Sequence, residues 1–338
     1  MTTIINAGVL FLLTVSQLFL WGLSLRWGLR WAKVAPVSTK QLVVATLIWL
    51  VLQIVIMVVS RQFWSVDQSL AMEFWHLIAV VVATSLLIAR VFDATFGQAF
   101  RAWLLTLIPM SAYAAILVLV VRPYVLEAFT TPANSMAPIL LGRHWASVCP
   151  TCGKPCYRSP DDPNDRFRVQ EVELMICDAF HIHEVAEPDR KVIPSDRIIV
   201  SKYLRPQRWD MVVFRYPDDP SILYVKRLVG LPGETIVIKD GFAWANGVKL
   251  TPPDELQGLR YFDVIPDVRM TLSGTVESPA VLGDGEYFML GDFTARSRDA
   301  RLWQEGFPGH PPYAVPESEI VGVVTHTYWP PERWRTFR

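Results

Sequence analysis

The chain has 338 residues, of which 51% are hydrophobic and 19% are charged, and its formal net charge is zero. A mean hydropathy of +0.28 is too apolar for an ordinary soluble protein, and the charged fraction excludes a chain that is membrane throughout. Zero net charge provides no global field for nucleic acid, and four cysteines do not make a disulfide scaffold. The composition therefore indicates a membrane part joined to a soluble part.

Apolar stretches fill the first third of the chain, each close to the ~20 residues that a spanning helix needs. They cover residues 4–25, 42–60, 74–89 and 103–121. One such run alone could be a buried core helix, but four in series predict a multi-span α-helical membrane anchor of about four helices over residues 1–121.

Basic residues predict how this anchor is oriented, because cytoplasmic connectors carry an excess of lysine and arginine. The first and third connectors hold the basic residues Arg26, Arg30, Lys33, Lys40, Arg90 and Arg101. We therefore expect a multi-pass protein of the cell membrane, with everything beyond residue 121 on the extracytoplasmic side.

Residues 122–142 follow the last apolar stretch and contain Ser135 within the segment FTTPANSMAPILL. A serine hydroxyl is a weak nucleophile until a base activates it. Ser135 is therefore an ordinary loop serine unless the rest of the chain supplies that base.

Residues 143–194 are polar, contain all four cysteines and interrupt the strand pattern, so we interpret them as an insertion. Cys149-Pro-Thr-Cys152-Gly has the form of a zinc knuckle, in which two thiolates and a turn bind a tetrahedral metal. The candidates for the remaining ligands of a structural zinc ion are Cys156, Cys177 and His181. Two disulfides are the alternative, since the predicted compartment is oxidising.

Residues 195–338 are rich in β-branched and aromatic runs, at 211–217, 222–230, 286–290 and 320–328. Asp240-Gly241 and Asn246-Gly247 are hairpin turn signals between such runs. With no convincing amphipathic helix among them, these runs predict a mostly antiparallel β domain.

Lys226 lies in one of these runs, YVKRLVG. A lysine on a strand usually points to solvent, but alternate side chains share a face, and Lys226 shares one with Tyr224 and Leu228. If that face is buried, desolvation lowers the pKa of the lysine from about 10.4, and the neutral amine can take a proton from a serine.

A third polar segment, GDFTARSRDAR, contains Asp292, Ser297, Asp299 and Arg301. It is either a charged surface turn or a cap on the site, with a second serine that orients the amine and acid–base pairs that hold the loop.

In chain order, PANSMAPIL, SDRIIVSKYLRPQRWDMVVFRYP, YVKRLVGLPGE and GDFTARSRDAR resemble the sequence boxes of bacterial type I signal peptidases. These are membrane proteases that use a serine and a lysine to remove signal peptides. The resemblance implies the signal-peptidase fold for the β domain, with Ser135 as nucleophile, Lys226 as general base and Ser297 in contact with the lysine. Asp292, Asp299 and Arg301 would support the lysine.

The nucleophile box departs from the family pattern at Ala133, where the family often has a serine that helps to bind the oxyanion. Ala133, Asn134 and Met136 surround the nucleophile, and the oxyanion would then rest on the backbone N–H of Ser135. Phe293 and Ala300 replace an asparagine and a serine of the last box.

The resemblance implies an endopeptidase that cleaves exported preproteins after Ala-X-Ala and needs no cofactor for catalysis. Its partners would be signal peptides, the lipid bilayer and secretion machinery close by, and not nucleic acid. The alternative is a membrane-anchored peptide-binding scaffold of the same fold whose catalysis is weakened. A self-cleaving serine–lysine regulator is disfavoured by the apolar spans, because such regulators act on DNA in the cytoplasm.

Overall fold

A computed structural model of the chain describes residues 2–34, 36–63, 70–160, 174–184, 189–264 and 271–337. The chain divides into two compact units, one formed by Ile4–Val121 and the other mainly by Arg122–Arg338. Within the insertion, residues 161–173 and 185–188 lie outside the described part, so the predictions for them are not addressed below.

The first unit is helical, as the apolar runs predict. Its helices are α1 (Thr2–Trp31), α2 (Thr39–Phe63), α3 (Leu70–Val91) and α4 (Phe96–Ile116), the last continuing to Tyr124 through a π-helical turn at Leu117–Val121. Each helix is longer than the apolar run that predicts it. Most of the basic residues assigned to the first and third connectors lie on helices instead, and only Lys33 lies between two of them: Arg26 and Arg30 are on α1, Lys40 on α2, Arg90 on α3 and Arg101 on α4.

Two segments among the described residues are long and apolar enough to cross a membrane, Thr39–Ile56 and Phe96–Tyr124, and Ile78–Val91 is a shorter apolar helical stretch. The start of α4 is fixed by a capping box, in which Thr95 Oγ1 accepts a hydrogen bond from the Gln98 backbone N–H. Small residues let α1 and α4 approach closely, since a Cβ at Gly28 would collide with the carbonyl of Ala102.

The second unit contains the strands of the structure. In chain order they are β1 (Leu126–Thr130), β2 (His144–Val148), β3 (Pro155–Arg158), β4 (Leu174–Cys177), β5 (Ile182–Glu184), β6 (Asp189–Ile193), β7 (Arg197–Ser201), β8 (Met211–Tyr216), β9 (Asp219–Gly230), β10 (Thr235–Lys239), β11 (Phe242–Ala245), β12 (Val248–Lys249), β13 (Ala280–Val281), β14 (Glu286–Leu290), β15 (Val315–Pro316), β16 (Ile320–Trp329) and β17 (Arg335–Thr336).

The largest sheet has the order β1-β7-β16-β8-β9-β14-β15, and β17 pairs with β16. Pairs of these strands are antiparallel, which confirms the predicted mostly antiparallel β domain. The four predicted strand runs coincide with β8, β9, β14 and β16. Their apolar side chains, including Phe214, Leu228 and Phe288, build one continuous core beneath the sheet.

A four-stranded sheet of order β12-β11-β10-β13 packs against the same core. Asp240 and Gly241 have φ values of 54° and 78° at the turn between β10 and β11, and Asn246 and Gly247 have 50° and 78° at the next. Positive φ at both central residues is the hairpin geometry that Asp-Gly and Asn-Gly favour, so both predicted turns are confirmed.

The insertion is itself a sheet, of order β5-β4-β3-β2-β6, which corrects the expectation that it breaks the β pattern. Its strands have three to five residues each, too short to show a clear alternation in the sequence. Tyr157 and Ile176 of this sheet pack against Ala137, Leu141 and Phe293, so the insertion covers the segment that contains Ser135.

Candidate active site

Ser135 lies just beyond the end of β1, in a segment whose backbone is fixed from both sides. Its carbonyl accepts a hydrogen bond of 3.1 Å from the backbone N–H of Phe293. Asn134 accepts one of 2.5 Å from the Gly142 N–H, and its own N–H donates to Ser159 Oγ at 3.2 Å. These bonds close the nucleophile segment into a tight loop.

The two other residues expected around the nucleophile have different surroundings. Met136 is buried in the main core, so it anchors the segment and does not face substrate. Ala133 lines the pocket that contains Ser135, and a Cβ at Gly142 would collide with its backbone. Asn134 is buried, and its side-chain oxygen accepts the hydrogen bond from the Gly142 N–H. Its side chain therefore stabilises the loop from within.

Asp196 holds the far end of the same segment, a role that sequence reasoning missed. Its carboxylate is fully buried, accepts the Leu141 N–H at 2.8 Å and pairs with Arg333 at 2.8 Å. Arg333 also donates to the Pro138 carbonyl at 3.2 Å. The signal was present in the segment SDRIIV, where an acidic residue precedes an apolar strand and needs a partner once it is buried.

Lys226 is on β9, opposite Val212 of β8, and only 3% of its surface is exposed. Its Nζ lies 2.5 Å from Ser135 Oγ and 5.0 Å from the centre of the Tyr224 ring. The Tyr224 ring stacks on Tyr216 with centroids 4.1 Å apart, which fixes one wall around the amine. The structure thus places the predicted nucleophile and the predicted base in direct contact.

Arg227, the next residue, is also buried and points to the other face of β9. Its Nε and Nη2 reach the two carboxylate oxygens of Asp292 at 2.7 and 2.5 Å, and its Nη1 donates to the Trp209 carbonyl at 2.6 Å. Burial lowers the pKa of Arg227, but the charge and hydrogen bonds of Asp292 outweigh it and raise the pKa above its usual value. Asp292 therefore binds the neighbour of the lysine.

Ser297 is completely buried, and its Oγ has no hydrogen-bond partner among the described residues. The hydrogen bond to Lys226 that the resemblance implies is not formed in this structure. Ser297 instead packs on Gly291, where a Cβ would collide with the Ser297 side chain and lie 2.7 Å from the carbonyl oxygen of Ser135. Gly291 thus brings the Ser297 loop close to the nucleophile's backbone, and the orienting role of Ser297 stays a prediction.

Asp299 and Arg301 form a fully buried ion pair with an Nη2–Oδ2 distance of 2.8 Å. Asp299 also accepts the Gly291 N–H at 2.9 Å. Arg301 donates to the Phe262 carbonyl at 2.8 Å and to both oxygens of Thr294. The segment is therefore a cap held from within and not a charged surface turn.

A pocket of about 430 Å³ opens beside Ser135 and Lys226. Its walls are mainly apolar and come from β1, the loop after β1, β7, β8 and the first half of β9. Arg298 also lines it, pairs with Asp218 at 2.7 Å and lies over the Tyr216 ring. An extended peptide could enter this pocket along β9 and reach the hydroxyl.

The cysteine residues of the insertion are free thiols. The Sγ atoms of Cys149, Cys152 and Cys177 and a ring nitrogen of His181 all lie within 4.8 Å of one another. Cys156, the fifth residue in the predicted set, is buried beside them but does not belong to this group.

Comparisons with known proteins point to one family. A family profile described as signal peptidase, peptidase S26, matches residues 174–329. Signal peptidase I of Pseudomonas fluorescens is 28% identical over 63% of this chain and 69% of its own length, and signal peptidase I of Rickettsia prowazekii is 28% identical over 56% and 70%.

A crystal structure of a signal peptidase I from Enterococcus faecalis V583 is 29% identical to this chain, covering 36% of it and 98% of the other, with a TM-score of 0.25. The residues that the profile matches include β9 with Lys226 and the cap segment, and they do not include Ser135. Over residues 174–329 the chain matches the signal peptidase family, peptidase S26, and the relatives it resembles are named signal peptidase I.

Proposed function

We propose that this protein is a serine endopeptidase that removes the signal peptides of exported preproteins, with Ser135 as nucleophile and Lys226 as general base. The observation that carries the proposal is the 2.5 Å contact between Lys226 Nζ and Ser135 Oγ at the wall of an apolar pocket. The relatives that match the chain are signal peptidases.

The chemistry is acyl transfer in two steps. The neutral amine of Lys226 accepts the Ser135 proton as Oγ bonds to the scissile carbonyl carbon. The lysine then gives that proton to the leaving amine, and a C–N bond breaks to leave an ester on Ser135. A water molecule, deprotonated by the same amine, hydrolyses the ester and restores the serine. The reaction needs no cofactor.

The oxyanion of each tetrahedral intermediate would be bound by the backbone N–H of Ser135. The carbonyl of Ser135 is held by Phe293, and Asn134 is held by Gly142 and Ser159, so this peptide group is fixed before substrate arrives. A fixed donor costs no reorganisation in the transition state. Rigidity of the loop would offset the missing hydroxyl at Ala133.

Substrate would bind as an extended strand between the loop after β1 and the first half of β9. Such binding takes affinity from main-chain hydrogen bonds and specificity from pockets for alternate side chains. Phe129, Ile198, Val213 and Leu223 make the pocket apolar, which suits apolar side chains such as alanine. We therefore propose cleavage after Ala-X-Ala, blocked by a large residue at either small position.

The helical unit would anchor the enzyme in the cell membrane, with the β unit on the extracytoplasmic side. The two long apolar helices support anchoring, and we propose that all four helices span and that the enzyme works close to secretion machinery. Protease digestion of oriented vesicles tests the orientation. Digestion of the β unit only after exposure of the cytoplasmic face would refute it.

The dyad is tested by incubating the full-length protein in detergent with a preprotein. We expect Ser135→Ala and Lys226→Ala to abolish processing without unfolding the protein, because they remove the nucleophile and the base. Lys226→Arg should also abolish it, because a guanidinium stays protonated at working pH. Lys239→Arg, at an exposed lysine on β10, is the matched control and should process normally. Substantial processing by Lys226→Arg would reject Lys226 as the base. If both alanine variants still process the preprotein, the proposed dyad and the function that rests on it are rejected.

A further inference from the structure

Two tight turns of the insertion sheet meet at one point. The first follows β2, where the Gly153 N–H donates to the Cys149 carbonyl at 2.9 Å and Gly153 has a φ of 70°. The second joins β4 to β5, where the Phe180 N–H donates to the Cys177 carbonyl at 2.8 Å and Phe180 has a φ of 63°. Each turn presents two metal-ligating side chains to the other.

The spacing of the four donor atoms matches a tetrahedral metal. Zn–S bonds of about 2.3 Å and a Zn–N bond of about 2.0–2.1 Å put tetrahedral sulfur atoms about 3.8 Å apart, and sulfur and nitrogen about 3.6 Å apart. The Sγ atoms of Cys152 and Cys177 are 3.7 Å apart, and Cys149 Sγ lies 3.8 Å from His181 Nδ1. Both distances join one turn to the other.

We propose that Cys149, Cys152, Cys177 and His181 form a structural zinc site. A disulfide requires sulfur atoms about 2.05 Å apart, so the 3.7 Å between Cys152 and Cys177 does not describe one. A pair of disulfides would also leave His181 without a reason to point at the cluster. The backbone N–H of Ala179 approaches Cys177 Sγ at 3.4 Å, a contact that helps to orient this sulfur within the second turn.

Two neighbouring residues are excluded as ligands by their positions. Cys156 lies on β3, paired with Cys177 across the sheet, and its sulfur falls outside the tetrahedral group. His183 is on β5, and its Nε2 lies 3.3 Å from the hydroxyl of Thr151. These two residues offer the same chemical groups as the ligands without the geometry, and they serve as matched controls.

The site is structural because protein side chains fill all four positions, whereas a catalytic zinc keeps one position for water or substrate. It would tie the β2–β3 turn to the β4–β5 turn. The sheet that it closes packs through Tyr157 and Ile176 on the nucleophile segment, and Ser159 accepts the N–H of Asn134. Zinc would thus stabilise the support of the nucleophile loop and take no part in the reaction.

Metal analysis of the full-length protein, purified in detergent without chelator, tests the site. We expect about one zinc per chain in the wild type, Cys156→Ala and His183→Ala, and less than about a tenth of that in Cys152→Ser and His181→Ala. Loss of zinc in Cys156→Ala but not in Cys152→Ser would overturn the ligand set. A wild type without zinc, whose cysteines are found in disulfides by mass spectrometry, would overturn the site.

Cobalt substitution of the wild type keeps the test independent of whether variants fold. Tetrahedral Co²⁺ with three thiolates and one imidazole should show strong visible and near-ultraviolet absorption, and its absence would count against the site. Chelation should lower the unfolding temperature while preprotein cleavage at low temperature persists. Immediate loss of cleavage in a still folded protein would instead indicate a catalytic metal and refute the structural role, without bearing on the identity of the nucleophile.

Discussion

The Arg227–Asp292 pair lies directly behind the dyad, and replacing one partner should be far more harmful than its distance from the substrate pocket implies. Arg227 follows the proposed base in the chain, while Asp292 lies between Gly291 and Phe293, which contact the nucleophile segment. In Asp292→Asn the shape is nearly unchanged, but the amide presents N–H groups to a guanidinium that also only donates. Arg227 would remain buried with one of its charged hydrogen bonds lost and the charge of its bidentate partner removed.

The burial of the Arg227–Asp292 pair sets the expected loss in the free energy of unfolding. Its side chains are 5% and 0% exposed, and breaking such a pair by removing one partner costs about 3–5 kcal/mol. Arg227 keeps its bond to the Trp209 carbonyl, so we expect about 3 kcal/mol. The matched control is Glu319→Gln in the Arg215–Glu319 pair, which is 48% and 23% exposed with a 3.2 Å contact and should cost no more than about 1 kcal/mol.

The assay is urea unfolding of the full-length protein in detergent, followed by tryptophan fluorescence, with preprotein cleavage measured in parallel. Because a shift of about 1 Å in a catalytic group can cost about 10²-fold in rate, cleavage should fall in Asp292→Asn and not in Glu319→Gln. The double variant Arg227→Met, Asp292→Leu should regain much of the stability, since no unpaired charge is left. Equal destabilisation by Asp292→Asn and Glu319→Gln would refute the reasoning.

Two further predictions concern the loop and its support. Gly291→Ala should destabilise the β unit by about 1–3 kcal/mol and reduce cleavage, because its Cβ collides with Ser297 and crowds the Ser135 carbonyl. The control is Gly97→Ala, whose Cβ meets nothing within 4 Å. Normal cleavage by Gly291→Ala would contradict the packing. Burial lowers the pKa of His144, whose Nδ1 lies 2.8 Å from the Gly142 carbonyl. The stabilisation by neutral His144 is therefore complete above about pH 6.5 and is lost as the pH falls below it. The urea midpoint should drop from pH 7.5 to pH 5 less steeply in His144→Gln than in the wild type, and identical slopes would exclude this histidine as a cause.

The strands and turns of the catalytic unit could be predicted because local chemistry decides them. Alternating β-branched residues mark β8 and β16, and Asp-Gly and Asn-Gly tolerate the positive φ that a tight hairpin needs. The strands of the insertion could not be predicted in this way, because they are too short to show an alternation. Its turns contain cysteine residues and lack the Asp-Gly and Asn-Gly signals. A pattern of cysteine spacing predicted that cluster where strand periodicity did not.

The apolar neighbours of Lys226 left its burial conditional, and its partner 91 residues away did not follow from any local pattern. Alternation along β9 puts Arg227 on the face opposite to Lys226, yet a single sequence does not show that this face is covered too. The pairing of Arg227 with Asp292, and of Asp196 with Arg333, depends on which loops the sheet order brings together. Ser297 shows the converse case, since the resemblance named the residue, whereas its Oγ has no hydrogen-bond partner among the described residues.

The position of β16 in the sheet has a consequence for when the enzyme can first act. This strand is close to the end of the chain, yet it lies between β7, which pairs with the β1 that precedes Ser135, and β8, which pairs with the β9 that carries Lys226. A ribosome-bound chain that has not yet released residues 320–329 therefore holds the hydroxyl and the amine on two groups of strands that the sheet does not yet join. We expect the dyad to be complete only after β16 has paired with both β7 and β8.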